Sequence, residues 1–286
     1  MKIGIIGAEN SHTAAIAKVI NIEKKIKGCV VDCVWGETAE FARSAAKAGR
    51  IGTIVKRQKD MMGRIDALIV DHRHAKYHLP AARPFVAAGV PTFVDKPFCY
   101  RAAEGRAFLQ LAKRCKTPVT SFSTLPRQQS FKRFVRKMGS LGEILFGESY
   151  GPCDLACKWG GVFFYGIHQV DMVLVAFGYN VSSVLITRGG NGSTGQLIYS
   201  DGKIVTMNLI KKGCTGFAMA AMGTKGGIHQ AITSDKSGYL SGIREFTNMF
   251  KTGKEPVKHE HMLKPVRVLE ALERSAKSGR RERVGR

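Results

Sequence analysis

Over the first third of the chain, short apolar runs alternate with longer stretches of helical period. Residues 2–6, 29–35, 67–70 and 92–94 read as strands, and 14–20, 39–48, 79–88 and 102–114 as helices. Strands that alternate with helices over short connections predict a parallel, doubly wound Rossmann sheet covered on both faces. Ala88-Gly89-Val90-Pro91 closes one helix and leads into the next strand. From about residue 118 the rhythm changes to helices mixed with alternating runs at 143–150, 182–187, 194–199, 203–210 and 215–222. Ser200-Asp201-Gly202, between two of these runs, is a hairpin signal. The pattern predicts an α/β protein in two parts. Residues 1–118 form the doubly wound parallel sheet, and 119–286 an α+β domain on a mostly antiparallel open sheet.

Composition narrows the class. The 286 residues are 44% hydrophobic and 23% charged, and no run of 18 or more apolar residues occurs, so a membrane span and wholesale disorder are both excluded from the reading. Glycines interrupt the first apolar run, Met1-Lys2-Ile3-Gly4-Ile5-Ile6-Gly7, which does not resemble an export signal. Seven scattered cysteines suit reduced thiols in a cytoplasm. Cys153 and Cys157 could share a helix face, but without a CxxC partner they make a weak metal signal. The formal charge of +23 attracts polyanions. Its basic residues are nonetheless dispersed, dense only at Arg280, Arg281, Arg283 and Arg286, and no nucleic-acid-binding motif accompanies them, so no specific nucleic-acid partner is expected.

Between the first strand and helix stands Gly7-Ala8-Glu9-Asn10-Ser11-His12, where a dinucleotide fingerprint would lie. In that fingerprint the first glycine makes the turn, the second admits the pyrophosphate, and the helix N-terminus offers N–H groups. Only the first glycine is present; Glu9 and His12 hold the other two places. Near a helix terminus an anion gains about 0.3–1 kcal/mol, so the Glu9 carboxylate could fill a phosphate's place, with Ser11 as N-cap. Alternatively Glu9 turns outward and the amides of Ala8 to Ser11 hold a phosphate. The loop alone leaves both open. After the second strand, Glu37 is the acid placed to grip a ribose hydroxyl, with NAD and NADP equally open.

Further on come Asp71-His72-Arg73-His74-Ala75-Lys76-Tyr77-His78, then Asp95-Lys96-Pro97, then Trp159-Gly160-Gly161-Val162-Phe163-Phe164-Tyr165-Gly166-Ile167-His168-Gln169-Val170-Asp171, and near the end 268–279. In this order and spacing they resemble the Gfo/Idh/MocA family of NAD(P)-dependent oxidoreductases along essentially the whole chain. Asp95-Lys96-Pro97 is similar to that family's EKP motif, and Gly166-Ile167-His168 to its glycine-x-histidine segment opening a helix. The resemblance implies a dinucleotide-binding domain over 1–118 and a substrate-binding, oligomerising domain over 119–286. It carries the catalytic lysine and histidine onto Lys96 and His168, and a cofactor-side histidine onto His78. It also implies hydride transfer between NAD or NADP and a sugar, cyclitol or related polyol, in a homodimer or homotetramer. Two positions depart from the family: the glycine-rich loop, and Phe164, where the family's aspartate stands. These departures support a rival reading, a degenerate member that binds a small ligand or a partner without turnover.

Oxidising a carbinol needs a proton acceptor and a cation or donor for the developing alkoxide. His168 reads as the base and Lys96 as the electrophilic partner. Asp171, one helical turn from His168, is the candidate to fix the imidazole tautomer. Gly7 to His12, Glu37, Asp71, His72, His78 and Lys96 make the expected cofactor set. His72, His74 and His78 lack an evident carboxylate set, and no metal is expected.

Overall fold

A computed structural model describes residues 1–213 and 216–285. Cys214, Thr215 at the head of one predicted strand, and Arg286 in the basic terminus lie outside the described residues. The chain divides into two compact units, Met1–Phe122 with Tyr239–Met262, and Ser123–Gly238 with Leu263–Arg286.

The first unit carries β1 (Lys2–Ile6), α1 (Ser11–Ala17), β2 (Val30–Trp35), α2 (Ala39–Gly49), β3 (Thr53–Ile54), β4 (Ala67–Val70), α3 (His78–Ala87), β5 (Thr92–Val94), α4 (Ala102–Arg114) and β6 (Val119–Thr120). Its six strands are all parallel in the order β3-β2-β1-β4-β5-β6. The order reverses between β1 and β4, and at such a switch point the carboxyl ends of the strands leave a crevice for a ligand. Full burial of Ile3, Ile5 and Ile6 and of all four residues of β4 explains the unbroken apolar runs that gave these strands away. α1 ends in one π-helical turn, Lys18–Ile22, whose buried Asn21 donates to Val31 O and accepts from Val31 N, tying the helix end to β2.

The second unit holds α5 (Gln129–Met138), β7 (Ile144–Pro152), α6 (Val162–Phe177), β8 (Val181–Arg188), β9 (Gly192–Tyr199), β10 (Ile204–Ile210), β11 (Phe217–Gly223) and β12 (Gly226–Ile232). After them α7 (Leu240–Thr252) belongs to the first unit, α8 (His259–Ser278) crosses the division, and β13 (Glu282–Arg283) closes the second sheet. That sheet runs β12-β11-β7-β10-β9-β8-β13, antiparallel except for the β7–β10 pair. The turn at 200–202 does join β9 to β10 as a hairpin, with Gly202 at φ +87°.

The passage between units falls after Phe122, within a few residues of the expected 118. Two expectations need correction here. Residues 119–286 are not one continuous domain, because α7 turns its apolar stripe of Ile243, Phe246, Met249 and Phe250 into the first unit's core. There Phe246 stacks on Phe93 with ring centroids 4.4 Å apart. Cys153 and Cys157 do not share a helix face: Cys153 follows β7, Cys157 lies in the turns before α6, and burial pushes the Cys153 thiol up to about 12.

Phe246→Ala should lower the stability of the first unit by about 3–5 kcal/mol, the usual loss for a buried aromatic. Urea unfolding followed by fluorescence and circular dichroism measures it. A loss under 1 kcal/mol would show that α7 is not part of that core.

Candidate functional site

At the carboxyl end of β1, Gly7 adopts φ +109°, and a Cβ there would lie 2.5 Å from the Asp71 carbonyl carbon, so this glycine is needed both for its angle and for its closeness to β4. Asn10, not Ser11, precedes the first helical residue, and it makes no side-chain cap. Its amide instead donates 2.8 Å to Asp71 Oδ1, with Asp95 Oδ2 at 3.4 Å.

The loop amides are taken by a carboxylate, but not by that of Glu9. Ala8 N and Glu9 N donate to Glu37 Oε2 over 2.8 and 2.9 Å. Gly36 allows this approach, since a Cβ there would stand 2.9 Å from Ala8 Cβ, and the Thr38 hydroxyl caps α2 by accepting from Phe41 N at 3.1 Å. The other oxygen, Glu37 Oε1, is buried without a hydrogen-bond partner. A buried acceptor left unmet costs about 1–3 kcal/mol, which a ligand hydroxyl would relieve.

Asp71 and Asp95, at the ends of β4 and β5, are both buried. Thr13 Oγ1 stands 2.5 Å from Asp71 Oδ2 and 2.7 Å from Gly7 O. A single hydroxyl proton cannot serve two acceptors well, and a proton on Asp71 resolves the conflict: Asp71 donates to Thr13, which donates to Gly7. Burial, and then the neighbouring Asp95 charge, hold the Asp71 carboxyl well above its usual range. Burial acts on Asp95 in the same sense, but Lys96 Nζ at 3.2 Å and His12 Nδ1 at 3.1 Å outweigh it and hold that carboxyl below its usual range. The ligand atoms of His12, Asp71 and Asp95 lie within 4.8 Å of one another, a spacing a cation could use. Their oxygens are already engaged by Asn10, Thr13 and Lys96.

The histidines separate by role. His78 is fully buried between the loops after β4 and β5, with Nδ1 and Nε2 2.9 and 2.8 Å from Pro97 O and His72 O, and as a neutral ring it donates to one of the two. This corrects its expected place among cofactor contacts, since neither ring nitrogen is left for a ligand. Burial also lowers its pKa. His74 accepts from Lys76 N across a single turn. His72 is 5% exposed, its ring centroid lies 5.8 Å from those of both Trp35 and Tyr77, and its Nδ1 is buried with no hydrogen-bond partner. Burial drives its pKa down to about 3.

In the second unit His168 sits inside α6, not at its start; Val162 opens the helix after Gly160 and Gly161, and Gly166 lets Val162 and Cys153 pack close. Ile167, Val170, Leu174 and Phe177 form the buried stripe, and Gly178 ends the helix as the spacing indicates. His168 Nδ1 lies 2.8 Å from Ser123 Oγ, while Asp171 Oδ2 accepts from Ser123 N at 3.0 Å. The group at the imidazole Nδ1 is therefore Ser123, where the sequence suggested Asp171. No short-range pattern could have paired residues 45 apart. Rings surround the histidine: Tyr165 at 5.9 Å, Phe217 at 5.5 Å, and Phe164 against Tyr165 at 4.9 Å. Phe164, where the resemblance implied an acid, is a ring packed against Tyr165.

Residues 1–122 match the Gfo/Idh/MocA family, described as an oxidoreductase family with an NAD-binding Rossmann fold. The match places residues 1–122 among sequences similar to that family's NAD-binding domain. No curated protein matches the sequence. Among solved structures, myo-inositol 2-dehydrogenase from Lactobacillus plantarum is 18% identical with a TM-score of 0.86, over 100% of this chain and 99% of that one. Scyllo-inositol dehydrogenase from Lactobacillus casei, solved with NAD(H) and scyllo-inositol, is 16% identical with a TM-score of 0.85, over 99% of each chain. At such identities the likeness establishes the shared fold.

Asp71→Asn keeps the shape and removes the ionisation. In wild type the folded state retains a proton that the unfolded chain releases above about 3.8, so wild-type stability falls as pH rises through that window. The variant's relative stability should therefore grow with pH from about 4 upward, by up to about 1.4 kcal/mol per unit. Denaturant unfolding at acid and neutral pH tests the sign; a stability difference that stays flat or falls as pH rises would mean that Asp71 is ionised.

Proposed function

We propose that the protein is an NAD-dependent polyol oxidoreductase acting on a ring-shaped sugar or cyclitol, with NAD favoured over NADP. The carrying observation is Glu37, whose Oε2 rests on the amides after β1 while Oε1 is buried and unpaired. An acid there suits a ribose diol as donor and repels a 2′-phosphate. The glycine angle at Gly7, the buried unpaired His72 Nδ1 and the Trp35 ring fit the same dinucleotide. In this reading residues 7–12 face the cofactor, Asp71 positions the loop from below, and Lys96 is held for catalysis by Asp95.

When bound, the nicotinamide supplies the hydride acceptor or donor. Lys96, 8% exposed and paired with Asp95, is the group assigned to exchange the proton with the substrate oxygen, and His168, in the second unit, is a polar group for a substrate hydroxyl. The rings of Tyr165 and Phe217 beside His168, with Phe164 against Tyr165, support a substrate with C–H faces as well as hydroxyls. The inositol dehydrogenases of the same fold agree with that class. Among the described residues no helix is long and apolar enough to cross a membrane. The free thiols support a reducing, cytoplasmic setting.

A homo-oligomer through the second sheet completes the proposal. Phe146 and Met222 pair across β7 and β11 and are 59% and 52% exposed, beside a surface groove of about 550 Å³. That is an apolar face suited to a second copy of the chain. Light scattering should give a dimer or tetramer that Phe146→Glu weakens. A wild-type monomer at micromolar concentration removes this part of the proposal.

Calorimetry with NADH and NADPH is the direct test of the cofactor. Wild type should prefer NADH, and Glu37→Ala should weaken NADH by about tenfold or more, a loss of about 1.4 kcal/mol. A set of inositols and sugars with NAD, read by nicotinamide absorbance, should then show turnover that Lys96→Ala lowers by about a hundredfold or more. NADH binding without turnover on any polyol would favour the binding-protein reading. Absence of binding by either cofactor would overturn the oxidoreductase reading itself.

A further inference from the structure

Ser123 is completely buried, and every polar group it has is committed. Its N–H donates to Asp171 Oδ2 at 3.0 Å, its carbonyl accepts from Arg127 Nη1 at 3.1 Å, and its Oγ accepts from Leu125 N at 3.2 Å. The hydroxyl proton then has one acceptor among the described residues, His168 Nδ1 at 2.8 Å. Were Nδ1 to carry hydrogen instead, Oγ would receive two N–H groups and its own proton would be buried with nothing to accept it. The Leu125 N–H on Oγ at 3.2 Å holds the hydroxyl in this rotamer. Asp171 lies one turn beyond His168 on α6, so the same helix that presents the imidazole also anchors the serine that reads it.

We infer that Ser123 is a positioning residue that fixes neutral His168 as the Nε2–H tautomer, so that the imidazole serves the substrate oxygen as a hydrogen-bond donor and not as the proton acceptor. The inference rests on the oxidoreductase reading for the word substrate, but the tautomer itself does not. A neutral histidine donor polarises a carbonyl or holds a hydroxyl in place without changing its own charge. Both the base-competent tautomer and the imidazolium need hydrogen on Nδ1, which would strip the Ser123 proton of its acceptor. Asp171 acts at one remove, through the serine backbone.

The test is a two-bond ¹H–¹⁵N correlation spectrum of full-length protein labelled at histidine. It is recorded near pH 8, above the ordinary imidazole range of about 6.5, with His168 assigned by the signal lost in His168→Gln. Wild type should show a pyridine-like Nδ1 shifted by a hydrogen bond, and a pyrrole-like Nε2. Ser123→Thr should preserve that pattern, and Ser123→Ala should move the Nδ1 resonance toward its unbonded position or bring in the other tautomer. A protonated Nδ1 in wild type overturns the inference whether or not the variants fold, and so does a pattern unchanged in Ser123→Ala. The spectra need no nicotinamide, so failure here and failure to bind NADH are separate results.

Discussion

Two carboxyl groups buried side by side at the ends of β4 and β5 govern the first unit's site. Asp71 and Asp95 cannot both carry charge in that setting without compensation. The compensation is drawn from the loop after β1 and from the residue after Asp95: Asn10 and Thr13 on Asp71, His12 and Lys96 on Asp95. The loop's course is therefore set by side chains reaching down to the strand ends. In a glycine-rich fingerprint the backbone itself makes the tight passage. Glu9 and His12 can stand in two of the glycine places here because Asn10, His12 and Thr13 pin the loop from within, and only Gly7, pressed on Asp71, has no substitute.

The same network orders Lys96. An ammonium on a flexible stem is a poor positional device alone. Flanked by the Asp95 carboxylate at 3.2 Å, it has a fixed neighbour, and Asp95 is in turn held by His12 from α1. His78 fills the space between the carbonyls of Pro97 and His72, so the chain just past Lys96 is packed against the loop after β4. A histidine that looks like a ligand contact in the sequence thus works as a brace, and its effect on any ligand runs through Lys96 and His72.

Much of this was legible in the residue pattern. β1, β4, β5 and α4 fall where periodicity puts them, because fully buried strands and a one-faced helix leave plain signals. Glu37 was singled out from its place after the second strand, and the structure sets it on the loop amides. What escaped was non-local. α7 has an ordinary amphipathic stripe, and nothing in that stripe says which of two cores it will enter. That Glu37, and not Glu9, meets the loop amides depends on a contact across 29 residues and on Gly36 permitting it. Ser123 beside His168 is more remote still. Short edge strands such as β3 and β6, two residues each, carry too few side chains for any period to show.

The loop after β1 and the helix around His168 follow one physical logic. Phe164, one turn before His168 on α6, is a ring and offers the imidazole no acid. The choice passes to Ser123, a neutral hydroxyl secured by Asp171 and Leu125, while Phe164 joins Tyr165 in an apolar wall. In the loop, the Glu37 carboxylate, two residues past β2, covers amides that a glycine-rich turn would leave open. In both places a charged or flexible solution has been exchanged for one fixed by side chains of distant segments. Such sites are more rigid before a ligand arrives, and a ligand must compete with Glu37 for the amides even as it satisfies the unpaired oxygen of the same carboxylate. Affinity for a dinucleotide is then a difference between losing the contacts of Oε2 and gaining those of Oε1. On the proposed reading, the residue that makes the loop look closed is also the one that would give a ribose a reason to enter.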